Sequence, residues 1–241
     1  MFRTLVMTIA FLAIVVFNTL ANTLPINGQT TGEISNRLPV MFTPAGYVFS
    51  IWSFIYIIFA IWIIGQWIRW KNGTAPSAKI TLYFTLSAAF NIAWLFLWHY
   101  EFFIWSIVAI VSYLIALVLL YLQYSNAERK LTERMPVSIN LGWIIVATIT
   151  NINFVLTYFN WSGWGLSDQL WTVIMLTVAT AIALHIRFHH NDIPIALVFI
   201  WAFIGIAVKN GADELLVTTA SLFLSGVIAT GILLIKKRTA Q

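Results

Sequence analysis

Eight stretches of this chain are long and apolar enough to cross a lipid bilayer, and they limit the fold more than any other feature of the sequence. They run over residues 5–20, 46–68, 80–98, 102–124, 137–159, 170–186, 193–208 and 215–235. A hydrocarbon core needs roughly 20 residues of α-helix to span it. The runs are continuously apolar, whereas the strands of a membrane barrel alternate. Lipid also requires each backbone N–H and C=O to be bonded within its own segment. The sequence therefore predicts an all-α, polytopic membrane protein with eight transmembrane helices. The seventh run is short for a crossing, yet Asp192 followed by Pro194 reads as a helix start. Composition agrees: 61% of residues are apolar and 9% charged, against about a quarter charged in a soluble domain.

Charge placement sets the expected orientation. With eight spans, one side carries Arg3, Arg69, Lys71, Lys79, Arg129, Lys130, Arg134, Arg187, Lys236, Lys237 and Arg238, and the other only Arg37 and Lys209. Eleven against two predicts a cell-membrane protein with both termini cytoplasmic and the loops at 21–45 and 159–169 outside. Omitting the seventh run would put the C-terminal basic cluster outside, so the count favours keeping it. The first run has a second reading as a signal peptide, because Arg3 precedes an apolar stretch ending near Ala21 and Asn22. The basic residues sit in short clusters beside apolar runs, which argues for membrane lipid and against nucleic acid as the partner. Absence of cysteine excludes thiolate catalysis and Cys-ligated metal.

All eight acidic and all thirteen basic residues fall at or beyond the ends of the runs, so no buried carboxylate or amine is expected. Proton-coupled pumps and voltage sensors place such groups in mid-membrane. The polar groups within the runs are amides and hydroxyls near tryptophans. Trp52 and Tyr56 lie at i, i+4 on the second run, Asn91 and Trp94 at i, i+3 on the third, and Trp143, Ala147 and Asn151 at i, i+4, i+8 on the fifth. These stripes fit one aromatic pocket, and they fit equally an interfacial belt with amides bonding helices together, which is the commoner use of such residues. Trp67, Trp70, Trp98, Trp161, Trp164 and Trp171 stand at run ends and read as belt. His185 and His189, with His190 and Asp192 near, have zinc-ligand spacing. Nothing else within a run completes a set, so they read as a polar helix end and no metal is expected.

The stretch Phe42-Thr43-Pro44-Ala45-Gly46-Tyr47-Val48-Phe49 with Trp52 and Tyr56, the pair Asn91-x-x-Trp94, and Trp143-x-x-x-Ala147-Thr148-x-x-Asn151 resemble the second-, third- and fifth-helix motifs of the translocator protein family, the tryptophan-rich sensory proteins. The resemblance covers about residues 5–160, a five-helix bundle including the long loop that caps the family's pocket. It implies residues 1–160 as a translocator-type ligand-binding bundle and 161–241 as three additional helices without a counterpart. Small residues on those helices, Thr177 and Ala181 on the sixth run and Ser221, Ser225 and Ala229 on the eighth, predict packing seams.

By that resemblance the chain is a receptor or sensor for a flat apolar ligand, a tetrapyrrole such as protoporphyrin or haem, with sterol or lipid as lesser candidates. The implied ligand-binding residues are Trp52, Tyr56, Asn91, Trp94, Trp143, Ala147 and Asn151, with no required cofactor and no catalytic set. A transporter of such ligands, or an enzyme that degrades porphyrin oxidatively, are the alternatives. A homodimer is the partner that the family adds. A loose sterol-type pattern, Leu122-x-Tyr124 followed by Arg129, is a weak signal only.

Overall fold

In the computed structural model the described residues are 1–24, 26–124 and 131–235, without the side chains of residues 131 and 132. The basic residues Arg129, Lys130, Lys236, Lys237 and Arg238, and the basic end of the sterol-type pattern, lie outside them. Among the described residues there are nine α-helices and no strand: α1 Phe2–Thr23, α2 Thr31–Asn36, α3 Ile51–Lys71, α4 Ala78–His99, α5 Phe103–Leu122, α6 Leu131–Tyr158, α7 Asp168–His190, α8 Ile193–Asn210 and α9 Leu215–Leu234. All but α2 are long and apolar enough to cross a membrane. Their outward faces carry large apolar residues such as Ile61, Ile104, Trp105 and Phe223, the composition a lipid-facing surface requires.

Local chemistry explains the helix ends. The short seventh span is a full helix because the Asp192 carboxylate accepts from Ile195 N at 3.1 Å and Pro194 stands in the first turn. Ser77 and Ser167 cap α4 and α7 in the same way. The span expected from residue 137 begins earlier, since Pro136 lies inside α6 instead of before it. The loop after α1 is not uniformly irregular. Thr30 and Glu33 form a reciprocal capping box that starts α2. The two bonds from Thr30 hold the Glu33 carboxyl below its usual range.

The chain divides into two compact units. The first comprises Met1–Arg37 and Ser50–Ile144, the second Leu38–Phe49 and Ile145–Gln241, so the division falls inside α6. In the first unit α4 packs against α5 and α1, and α1 against α3. Polar side chains tie these helices. Asn18 Nδ2 donates to Asn91 Oδ1 at 2.7 Å, Trp67 Nε1 to Thr8 Oγ1 at 2.9 Å, and Arg3 to the Pro76 carbonyl at 3.3 Å.

In the second unit α7, α8 and α9 pack on one another. Ser221 and Ser225 are buried as expected of a seam. The seam expected on α7 is corrected: Thr177 and Ala181 are exposed, and the buried face is Thr172, Leu176, Ala179, Thr180, Ala183 and Arg187. The helix carries small residues at spacing four on two faces, and only packing selects between them. At Gly231 an added Cβ would stand 2.4 Å from Leu184 Cδ2, so α7 and α9 approach closely there.

Among the described residues one acid and one base, expected outside the buried interior, are buried after all. Arg187 is 5% exposed and Asp192 fully buried, both at helix ends. The Arg187 guanidinium donates to the Ile232 and Ile235 carbonyls at the end of α9 and to Asn191 Oδ1. A cation at a helix C-terminus satisfies carbonyls that have no partner within the helix.

Candidate functional site

The first unit brings together three of the expected pocket residues. Trp52 and Tyr56 stack along α3, with ring centroids 5.8 Å apart and planes at 24°. Trp143 of α6 meets Trp52 edge-on at 6.2 Å and 89°. Trp52 is half-buried and Trp143 almost wholly buried, so an indole from each helix contributes to one aromatic wall. The Tyr56 hydroxyl is buried and has no hydrogen-bond partner among the described residues. Further along the same helix, buried Trp62 packs on Phe59, Phe84 and Tyr124.

The third-helix residues have partners of their own on α1 and α4. Asn91 is fully buried and its carbonyl oxygen accepts from Asn18, while its Nδ2 has no partner among the described residues. Trp94 stacks on Trp98 at 5.7 Å and 19°. On α6, Ala147 is half-buried and Asn151 buried, on the face that also carries Trp143; both belong to the second unit.

Trp98 was expected in an interfacial belt, and the structure corrects that. It is 2% exposed, meets Phe103 edge-on at 5.3 Å and donates to the Thr31 carbonyl at 3.4 Å. Next to it, His99 Nδ1 lies 2.8 Å from the Leu95 carbonyl and donates there, and Nε2 lies 3.4 Å from the Thr31 hydroxyl. Asn27 Nδ2 donates to the His99 carbonyl at 3.0 Å. Arg37 pairs with Glu101 at 2.8 Å. The first half of the long loop, residues 26–37, is thus seated on the end of α4.

The second half of the loop, with the motif Phe42–Phe49 of the resemblance, is seated within the second unit on α8. Ala45 N donates to the Gly205 carbonyl at 3.0 Å, Trp201 Nε1 to the Val48 carbonyl at 3.2 Å, and Asn210 Nδ2 to the Met41 carbonyl at 2.9 Å. Lys209 donates to the Val40 carbonyl at 3.3 Å, and Tyr47 meets Trp201 edge-on at 5.3 Å. The seat exists because residue 205 has no side chain: a Cβ there would lie 2.1 Å from Val48 Cγ2.

A family model described as TSPO-like protein matches residues 4–234. The chain belongs to the TSPO-like family. The match runs well past residue 160, so α7, α8 and α9 fall within the family model. Neither a curated protein nor a solved structure matches the chain.

Several residues of consequence were not legible in the motif pattern. Asn18 lies alone in an apolar run far from any tryptophan, and only its partner gives it meaning. Gly205 looks like any glycine of a membrane helix. The capping box Thr30-x-x-Glu33 was a readable signal for α2. The rings of His185 and His189 stand 4.4 Å apart, and no three metal-ligating side chains converge among the described residues.

Proposed function

We propose that this membrane protein is a receptor for a flat apolar ligand, with a tetrapyrrole such as protoporphyrin or haem as the best-fitting class. The observation that carries the reading is the meeting of Trp52, Tyr56 and Trp143, three motif residues from two helices, in one aromatic wall. Indole faces contribute about 0.5–1.5 kcal/mol per aromatic pair beyond the area they bury. The Tyr56 hydroxyl and the Asn91 amide N–H are buried donors without acceptors among the described residues, and the carboxylates of a tetrapyrrole supply acceptors. In this reading residues 1–160 form the ligand-binding bundle. By the resemblance Trp94, Ala147 and Asn151 are further ligand-binding residues, and residues 161–241 hold the loop motif through α8. Both termini are cytoplasmic.

The test is a titration of the purified chain with protoporphyrin, followed by tryptophan quenching. Trp143→Ala should weaken binding about tenfold, as expected for loss of a stacking surface that water does not replace. Trp164→Ala, at a residue 79% exposed, should leave binding unchanged. Ala147→Phe should also weaken it, by adding bulk at a small-residue position that the resemblance assigns to the ligand. Equal affinities for the wild type, Trp143→Ala and Ala147→Phe, each with its native melting transition, refute the reading. Time-dependent loss of porphyrin absorbance in the same titration would favour degradation over binding alone.

A further inference from the structure

The second unit carries a cleft of about 300 Å³ that the proposed receptor site does not use. It opens where α6 ends and α7 begins. Its walls include Trp161 and Trp171, whose ring centroids are 5.0 Å apart with planes at 55°. Two indoles at that angle form a corner, not a stack. Met41 from the seated loop also lines the cleft, and Asn153, Asn160 and Asp168 add polar groups. The volume is at the lower end of the range for small-molecule sites.

The corner is built and held in place. Trp171 Nε1 donates to the Gly163 carbonyl at 2.7 Å. Gly163 has φ +62°, and a Cβ there would stand 3.1 Å from the Trp171 ring, so the glycine lets the indole lie against the turn. Asp168 lines the cleft and makes no ion pair among the described residues. The charged groups at this end of the unit are Asp168, Asp213, Glu214 and Lys209. Glu214 bonds to Gln169, and the Lys209 ammonium is committed to the Val40 carbonyl.

An indole face attracts a cation through its quadrupole, and the attraction grows when the cation is partly desolvated, as in aromatic cages for quaternary ammonium groups. A carboxylate beside two inclined indoles, with a thioether and amides completing the wall, matches a compact organic cation with a methylated, weakly hydrated head. An anion would meet Asp168 at close range. We propose that this cleft binds an alkylammonium group of about the size of choline, either as a free small molecule or as a lipid headgroup.

The experiment is isothermal titration of the full chain in a maltoside detergent with choline chloride and tetramethylammonium chloride. The neutral isostere 3,3-dimethyl-1-butanol and sodium chloride serve as controls. Saturable binding of both cations is expected, with the isostere at least about tenfold weaker. Asp168→Asn and Trp161→Leu should each reduce choline affinity by about tenfold, whereas Trp105→Leu, on the exposed face of α5, should not. Nanodiscs separate the two sources. Choline binding abolished in phosphatidylcholine discs but retained in phosphatidylglycerol discs assigns the cleft to a headgroup, and retention in both assigns it to a free ligand. Absence of saturable binding, equal affinity for the neutral isostere, or choline affinity unchanged in both Asp168→Asn and Trp161→Leu overturns the proposal. The native melting transition of each variant is checked first.

Discussion

Replacing Gly205 by alanine tests whether α8 seats the loop motif. In an isolated helix the change would stabilise, by about 1 kcal/mol, because alanine loses less backbone freedom. Here the new Cβ would stand 2.1 Å from Val48 Cγ2 and 3.2 Å from Pro44 Cβ. Val48 is fully buried, so its methyl cannot swing into open space and the loop backbone must move. Overpacking of this kind costs about 1–3 kcal/mol. The movement also stretches the bond from Ala45 N to the Gly205 carbonyl, a further loss of up to about 1 kcal/mol. The sum after subtracting the propensity gain is a destabilisation of up to about 3 kcal/mol. Val48→Ala removes the clashing methyl and leaves Val48 Cβ at 3.4 Å, an ordinary contact. The double variant should therefore be less destabilised than the two single changes sum to, with a coupling of about 1 kcal/mol or more. Tryptophan-fluorescence melting in detergent reads all four proteins. A Gly205→Ala protein that melts at or above the wild-type temperature, or additivity in the cycle, would refute the seating.

Three further outcomes are expected. Asn18→Leu removes the partner of Asn91 Oδ1 and should cost about 1 kcal/mol, within the range for interhelical hydrogen bonds in membranes, whereas Asn18→Leu with Asn91→Leu should cost less than the sum of the single changes; melting of the three variants checks this. Arg187→Met should fray the end of α9 and cost about 2 kcal/mol, since a charged donor to the Ile232 and Ile235 carbonyls is lost, with faster amide exchange in the last turn of α9 as the readout. Single cysteines placed in this cysteine-free chain at the exposed positions Asn36 and Ser162 should label from outside and one at exposed Asn72 only from inside; outside labelling of Asn72 would reverse the orientation.

The spans were legible because lipid leaves few choices: an unbroken apolar run of sufficient length must be a helix, and Asp192-x-Pro194 marks its start whatever surrounds it. The aromatic wall was legible in part. Spacing put Trp52 with Tyr56 on one face of α3, but that Trp143 meets them is a fact of tertiary packing. Asn91 shows the limit from the other side, since its motif position is the same whether it faces a ligand or, as found, bonds to Asn18. Small-residue spacing on α7 allowed two seams, and only the neighbouring helices chose Ala179 and Ala183 over Thr177 and Ala181. Trp98 and Arg187 look like residues at a membrane boundary, because sequence reports distance along a helix and not what folds over its end. The loop covers the first and the end of α9 meets the second. Helix formation depends on residues a few positions apart. The seat for Val48 depends on Gly205, more than 150 residues away, and no local pattern records that absence of a side chain.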